Sequence, residues 1–310
     1  MSADPHTHHG HGDSHAENAG DERALRRATL LTGGFMLAEL AGGLYANSLA
    51  LIADAGHMLT DAAALGLAWA AARLIQRPPD ARRSFGYQRL QVLAGFVNGI
   101  ALLAIVGWIA VEAIGRLRSP VIVDAPVVIA VAVAGGLVNV IVYLMLRQAD
   151  RENLNVSAAM LHVLGDLLGS AAALVAAIVI LLTGWMPIDA LLSLLVAALI
   201  FRSALALVRR SAHILLEGAP EWLDVHELGR TLKGRVPTIV DVHHVHCWSL
   251  SPSETLATLH VRVPTGTDQA DVLAKTRDAL AECFGITHAT VQVETDRCAD
   301  PDCSRGVQGS

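Results

Sequence analysis

Two spacings stand out in this chain. His57-x-x-x-Asp61 and His162-x-x-x-Asp166 repeat the same two residue types at the same interval, each inside an apolar stretch. Residues four apart share one face of a helix. Each segment therefore offers one imidazole and one carboxylate pointing the same way. Two such faces brought together supply two nitrogens and two oxygens, the number and kind that tetrahedral Zn2+ takes. Ionisable side chains inside an apolar span are costly and mark a functional site by default. The alternative is two buried polar pairs that glue helices together, although glue rarely repeats one pair of residue types at one spacing.

The elements that must hold these residues are membrane helices. Of 310 residues, 53% are hydrophobic and 17% charged, and the mean hydropathy is +0.46. That is a membrane-protein profile. Six spans of about 20 residues can be drawn, at 25–45, 48–75, 90–117, 126–146, 157–183 and 188–208. Pro78, Pro79, Pro120, Pro126 and Pro187 punctuate their ends. Arginines gather on one side, at Arg23, Arg26, Arg27, Arg73, Arg77, Arg82, Arg83, Arg89, Arg147, Arg151, Arg209 and Arg210. Only Arg116 and Arg118 fall on the other. The positive-inside rule then puts both termini in the cytoplasm. The first twenty residues are polar and lack an apolar core, so no cleavable signal is expected. A net charge of −6 without a basic stripe argues against nucleic acid as a partner.

The domain boundaries that follow are a His-rich tail (1–23), a six-helix membrane domain (24–210), a soluble domain (211–297) and a Cys-containing tail (298–310). In the soluble part, 222–234 reads as a short amphipathic helix, and 239–250 and 255–264 alternate as strands. Residues 268–284 have helical period with Asp268 as N-cap, and 287–295 alternate again. The order α-β-β-α-β predicts a ferredoxin-like α+β layer with apolar surface that a second copy could cover. All four cysteines lie here. In a cytosolic domain they are thiols or metal ligands rather than disulfides. Cys247 and Cys283 read as packing residues, and Cys298 and Cys303 are close enough to share a ligand set. The tract His6, His8, His9, His11 and His15 is either a loose metal binder or an accidental polar tail.

These residues resemble the cation diffusion facilitator family, in particular its zinc-transporting branch. Residues 48–61, running through Asp54 and His57 to Asp61, look like the family's second span. Residues 153–170, with His162 and Asp166, look like its fifth. Residues 85–98 resemble the entry of its third span, and 242–250 the first strand of its cytoplasmic domain. The similarity covers about residues 25–296. It implies a homodimer in a bilayer that exchanges cytosolic Zn2+ for protons at His57, Asp61, His162 and Asp166. The His at position 57 resembles the zinc type, consistent with the preference of imidazole for zinc.

The resemblance also implies metal binding at His243, His260 and Glu294, with His244 and His246 able to assist. The alternative for these is polar residues on strand faces, and His288 reads as well as a structural histidine. Cys298 and Cys303 resemble the cysteine tail of some vesicular members, where it pairs with an N-terminal His/Cys segment. Arg89 and Glu217 match a basic–acidic pair that ties membrane part to cytoplasmic domain. In the loop after span two, Asp80 is kept but Arg83 and Tyr87 stand where some bacterial members have histidines, so a loop zinc site is not expected.

The function expected is secondary active zinc efflux against protons by alternating access, in a bacterial inner membrane. Metal entry requires neutral imidazoles and ionised carboxylates, so it displaces protons. Asp54, three residues before His57, reads as an acceptor orienting an imidazole or as a proton path. Glu39, Asn98 and Asn139 read as helix–helix hydrogen bonds rather than ligands. An intramembrane metalloprotease would show an open metal position with a general base, and no His-Glu-x-x-His occurs. A metal sensor or a channel without proton exchange is the competing class.

Overall fold

A computed structural model describes residues 13–147, 154–295 and 298. The His-rich tract from His6 to His11 and Cys303 lie outside the described residues, as do the side chain of His15 and those of Asp61 and His162. The chain forms two compact units, one of residues up to 65 with 100–205, the other of 66–99 with residues from 206 onward.

Six long helices come first: α1 (Asp13–Ala46), α2 (Leu49–Ile75), α3 (Leu90–Arg118), α4 (Ala125–Arg147), α5 (Leu154–Thr183) and α6 (Pro187–Leu215). Among the described residues, α3, α4, α5 from Val163 and α6 are long and apolar enough to cross a membrane. Shorter apolar segments, Leu30–Ala46 and Leu49–Thr60, lie within α1 and α2. The tight link between α1 and α2 is made by Asn47, at φ 54. In the first unit α2 packs on two sides. Leu49 and Ala53 join α3 and α6 in one buried cluster through Leu102, Ile109, Ala197 and Ala204. Leu51 joins α4 and α5 in another through Val128, Ala132, Ala173 and Ala177. Helices in lipid approach closely where residues are small. A Cβ on Gly42 of α1 would stand 2.6 Å from Val131 of α4, and one on Gly135 would stand 2.8 Å from the Phe35 ring.

The soluble part follows the expected order: α7 (Val225–Arg235), β1 (Asp241–Ser251), β2 (Glu254–Arg262), α8 (Gln269–Phe284) and β3 (His288–Glu294). The first helix starts three residues later than its amphipathic pattern suggests, because Asp224 accepts from His226 N at 2.8 Å and caps it there. Trp222 is left outside the helix and exposed. Asp268 caps α8 as expected, accepting from Ala270 N and Asp271 N. The sheet order is β1-β2-β3, with β1 and β2 antiparallel and β2 and β3 parallel. Leu228 and Leu232 of α7 and Val272 and Leu280 of α8 share one core with Val242, Leu259 and Val261 of the strands. This is the α-helical membrane domain followed by an αββαβ layer that the pattern implied.

Candidate metal centres

The first centre is set by how α2 and α5 run past each other. The Asp54 carboxylate on α2 lies 3.0 Å from the place a Cβ on Gly169 of α5 would occupy. Leu51, one turn earlier on α2, packs with Ala173 and Ala177, later on α5. The two helices are therefore antiparallel with a fixed register. Three residues on from Asp54, and three back from Gly169, stand His57 and Asp166. Four more residues along each helix bring Asp61 level with His162. At about 1.5 Å rise per residue, these two levels lie about one turn apart. Asp166 is buried at 3% exposure and His57 is half-buried.

Polar groups continue along the same seam. Glu39 of α1 is 1% exposed and its side chain hydrogen-bonds that of Asp54. Asp54 is thus engaged by Glu39 against Gly169. On α2 itself, Thr60 Oγ1 donates to the His57 carbonyl at 2.7 Å.

The N-terminus of α2 is held from α6, which the sequence reading missed. Ser48 Oγ donates to Asp189 Oδ1 at 2.6 Å and Leu49 N to Oδ2 at 2.8 Å. Arg116 of α3 lies 3.9 Å from Asp189 and 3.0 Å from Glu112, and donates to the Asn47 carbonyl. An acid two residues after Pro187, at a span's start, was the available signal.

The second centre lies on the sheet. His243 pairs with His260, but His246 pairs with Thr258, so β1 has one residue too many between them. His244, at φ 49, takes up the extra residue. Such a bulge breaks the alternation of side chains. It brings His244 to the His260 ring at 5.0 Å between centroids, while His243 keeps its own place 5.5 Å from His260. Glu294, 6% exposed, closes the group from β3. Its Oε1 lies 3.0 Å from His260 Nδ1 and its Oε2 3.2 Å from His243 Nε2. Asp241 stands 3.2 Å from His243 Nδ1, and Gln292 donates to Glu294 at 2.9 Å.

The sulfur of Cys298 is 3.9 Å from His260 Nδ1. Ligand atoms of His243, His260, Glu294 and Cys298 all fall within 4.8 Å of one another. Two imidazoles around a buried carboxylate fit a small divalent cation. Cys298 departs from the expected thiol: it is disulfide-bonded. Only its reduced form could be a ligand.

Other sequence-picked residues have different surroundings. His246 is exposed and its ring stands 6.4 Å from that of His244. His288 begins β3 and meets the Phe85 ring edge-on at 5.7 Å. Asp80 accepts from Arg82 N and Arg83 N at 2.8 Å each, and these donors hold its carboxyl below the usual range. Arg89 Nη2 meets Glu217 Oε1 at 3.1 Å. Cys247 and Cys283 are free thiols, and Cys247 belongs to the domain core.

Comparison with known proteins decides the family. Residues 25–216 match the cation efflux transmembrane domain, and residues 220–296 match the cation efflux protein cytoplasmic domain. The chain belongs to the cation efflux family. It is 46% identical to the zinc transporter ZitB of Escherichia coli (strain K12) over 304 residues, 97% of each chain. It is 37% identical to the metal cation efflux system protein CzcD of Cupriavidus metallidurans, over 97% of this chain and 95% of that one. It is 38% identical to the cadmium, cobalt and zinc/H(+)-K(+) antiporter of Bacillus subtilis (strain 168), over 92% of both. Membership makes it a membrane transporter rather than an enzyme. His57, Asp61, His162, Asp166, His243, His260 and Glu294 fall inside the matched regions, and Cys298 lies just past the second.

Proposed function

We propose that this protein exports Zn2+ from the cytosol in exchange for protons, by alternating access of a site made by His57, Asp61, His162 and Asp166. One observation carries the reading. The contact of Asp54 with Gly169 on antiparallel helices supports a register in which His57 is level with Asp166 and Asp61 with His162. Two residues with imidazoles and two with carboxylates, at matching levels of two helices, are the set that suits tetrahedral zinc. The names of the relatives, a zinc transporter and a zinc/H(+)-K(+) antiporter, support the cargo and the counter-ion. The ligands bind metal only after giving up protons.

The protein acts as a homodimer through its cytoplasmic domain, in a bacterial inner membrane with both termini in the cytosol. There His243, His260 and Glu294 hold a second Zn2+, assisted by His244 and by Cys298 when reduced. Resident zinc would supply a charge joining β1, β2 and the end of β3.

Zinc accumulation in sealed proteoliposomes tests the transport reading. The wild type should concentrate zinc only with an acid interior, and Asp166→Ala should abolish this. Flux indifferent to the gradient would make the protein a channel. Tight binding without flux would make it a sensor.

A further inference from the structure

Asn139 on α4 is a buried polar residue that the proposed transport site leaves unused. It is 3% exposed, and among the described residues its Oδ1 has no hydrogen-bond partner. The helix–helix bond expected from sequence is therefore absent at this oxygen. A buried acceptor without a donor costs about 1–3 kcal/mol, and leucine would fill nearly the same volume without that cost. The position needs a role that an amide oxygen serves and a methyl group does not.

Its place in the fold supplies one. Gly135, Asn139, Val142 and Leu146 form one buried face of α4, and that face meets α5 at two known levels. A Cβ on Gly135 would stand 3.2 Å from Ser170 Oγ. Val142 and Leu146 pack with Val163 in one cluster. The helices are antiparallel, and the level between these two contacts is fixed. Four residues on from Gly135 is Asn139, and four back from Ser170 is Asp166. Val163, Asp166 and Ser170 are all buried and share the α5 face that α4 covers. Asn139 thus stands level with Asp166, the residue proposed to hold the cargo. An amide oxygen and a carboxylate are both acceptors, and both suit a cation held between α4 and α5.

We propose that Asn139 is a specificity-determining residue of the transport site, its carboxamide oxygen turned toward the divalent cation held by Asp166. The inference rests on reading Asp166 as a ligand. A neutral carbonyl oxygen is a hard donor. Added to two imidazoles and two carboxylates, it raises the coordination number the site can offer and weights the choice among divalent cations.

Zinc and cadmium transport by the full-length protein in proteoliposomes tests it, using Asn139→Leu, Asn139→Asp and Asp166→Asn. Asn139→Leu should melt in detergent no lower than wild type, since it removes a buried acceptor without a donor. Its KM for zinc should rise about tenfold, the size of one lost oxygen contact to a charged group, with kcat changed far less. Its Cd2+/Zn2+ ratio of kcat/KM should shift, and Asn139→Asp, which keeps the oxygen, should restore the zinc KM. A helix-packing role would move the melting temperature and leave the ratio alone. Unchanged KM and ratio in Asn139→Leu, with Asp166→Asn inactive, overturn this inference and leave the transport site standing. Normal transport by Asp166→Asn overturns both. If Asn139→Leu does not reach the membrane, Asn139→Ser takes the same readouts.

Discussion

Cys247 shows what burial does to a single reactive group. It sits in the core of the soluble domain, and that burial pushes its thiol up from 9.0 to about 11. It is neutral at working pH. Folded Cys247 should resist a neutral alkylating reagent at pH 8 and react fully once the domain is unfolded, as mass spectrometry would read. The same shift has a stability consequence with a definite sign. The folded state holds the proton more tightly, so this contribution is present below about pH 9 and drains away as pH rises toward about 11. Rapid labelling of the native protein at pH 8 would show the thiol exposed. The sequence already suggested packing for this residue, since it lies on an alternating strand. The two His-x-x-x-Asp spacings can be read in the same way, because spacing on a helix is local information. Asn139 is the opposite case: its carboxamide oxygen has no donor among the described residues. Whether a lone amide finds a donor depends on the register of a second helix, which no local pattern encodes.

Helices and strands were legible from periodicity and capping residues, but the devices that aim them were not. The bulge at His244 turns an alternating His-His-Val-His strand into a group facing His260, and alternation alone would have put His243 and His244 on opposite faces. The anchoring of α2 is a second case. Its first turn has no acid of its own, and the cap comes from Asp189, 140 residues away from Leu49. Charged hydrogen bonds of this kind contribute about 1.5–3 kcal/mol, and loss of a helix N-cap costs about 1 kcal/mol. Asp189→Ala strands the Ser48 hydroxyl and the Leu49 amide in a buried place and removes the anion beside Arg116. Its stability in detergent should fall by about 2–4 kcal/mol, and Asp189→Asn, which keeps an acceptor, should lose less. Equal melting of Asp189→Ala and wild type would mean that water reaches this helix end.

At the scale of the molecule, the question is how membrane helices and soluble domain communicate. The segment after α6 is tightly built. Gly218 N donates to the His213 carbonyl at 2.8 Å, His213 Nε2 meets the Ala219 carbonyl at 2.7 Å, and Ser249 N reaches back to Gly218 O at 3.2 Å. A side chain at Gly218 would collide with the His213 ring. Glu217, at φ 61 in this turn, is held toward Arg89 just before α3. The pair is partly exposed, so its direct worth is about 0–1 kcal/mol. A purely stabilising pair and a mechanical link therefore predict different things. Glu217→Arg should shift the melting temperature little, and any shift should vanish in high salt. If the pair transmits motion from the soluble domain to α3, Glu217→Arg should cut zinc flux several-fold at unchanged stability, and Arg89→Glu should do the same. The double exchange should then recover most of the flux, since it restores the attraction with reversed sign. Flux that stays at the wild-type level in both single variants would reduce the contact to a surface ion pair. The tight turn around Gly218 would then be left as a connection between α6 and the sheet that bears the candidate second centre.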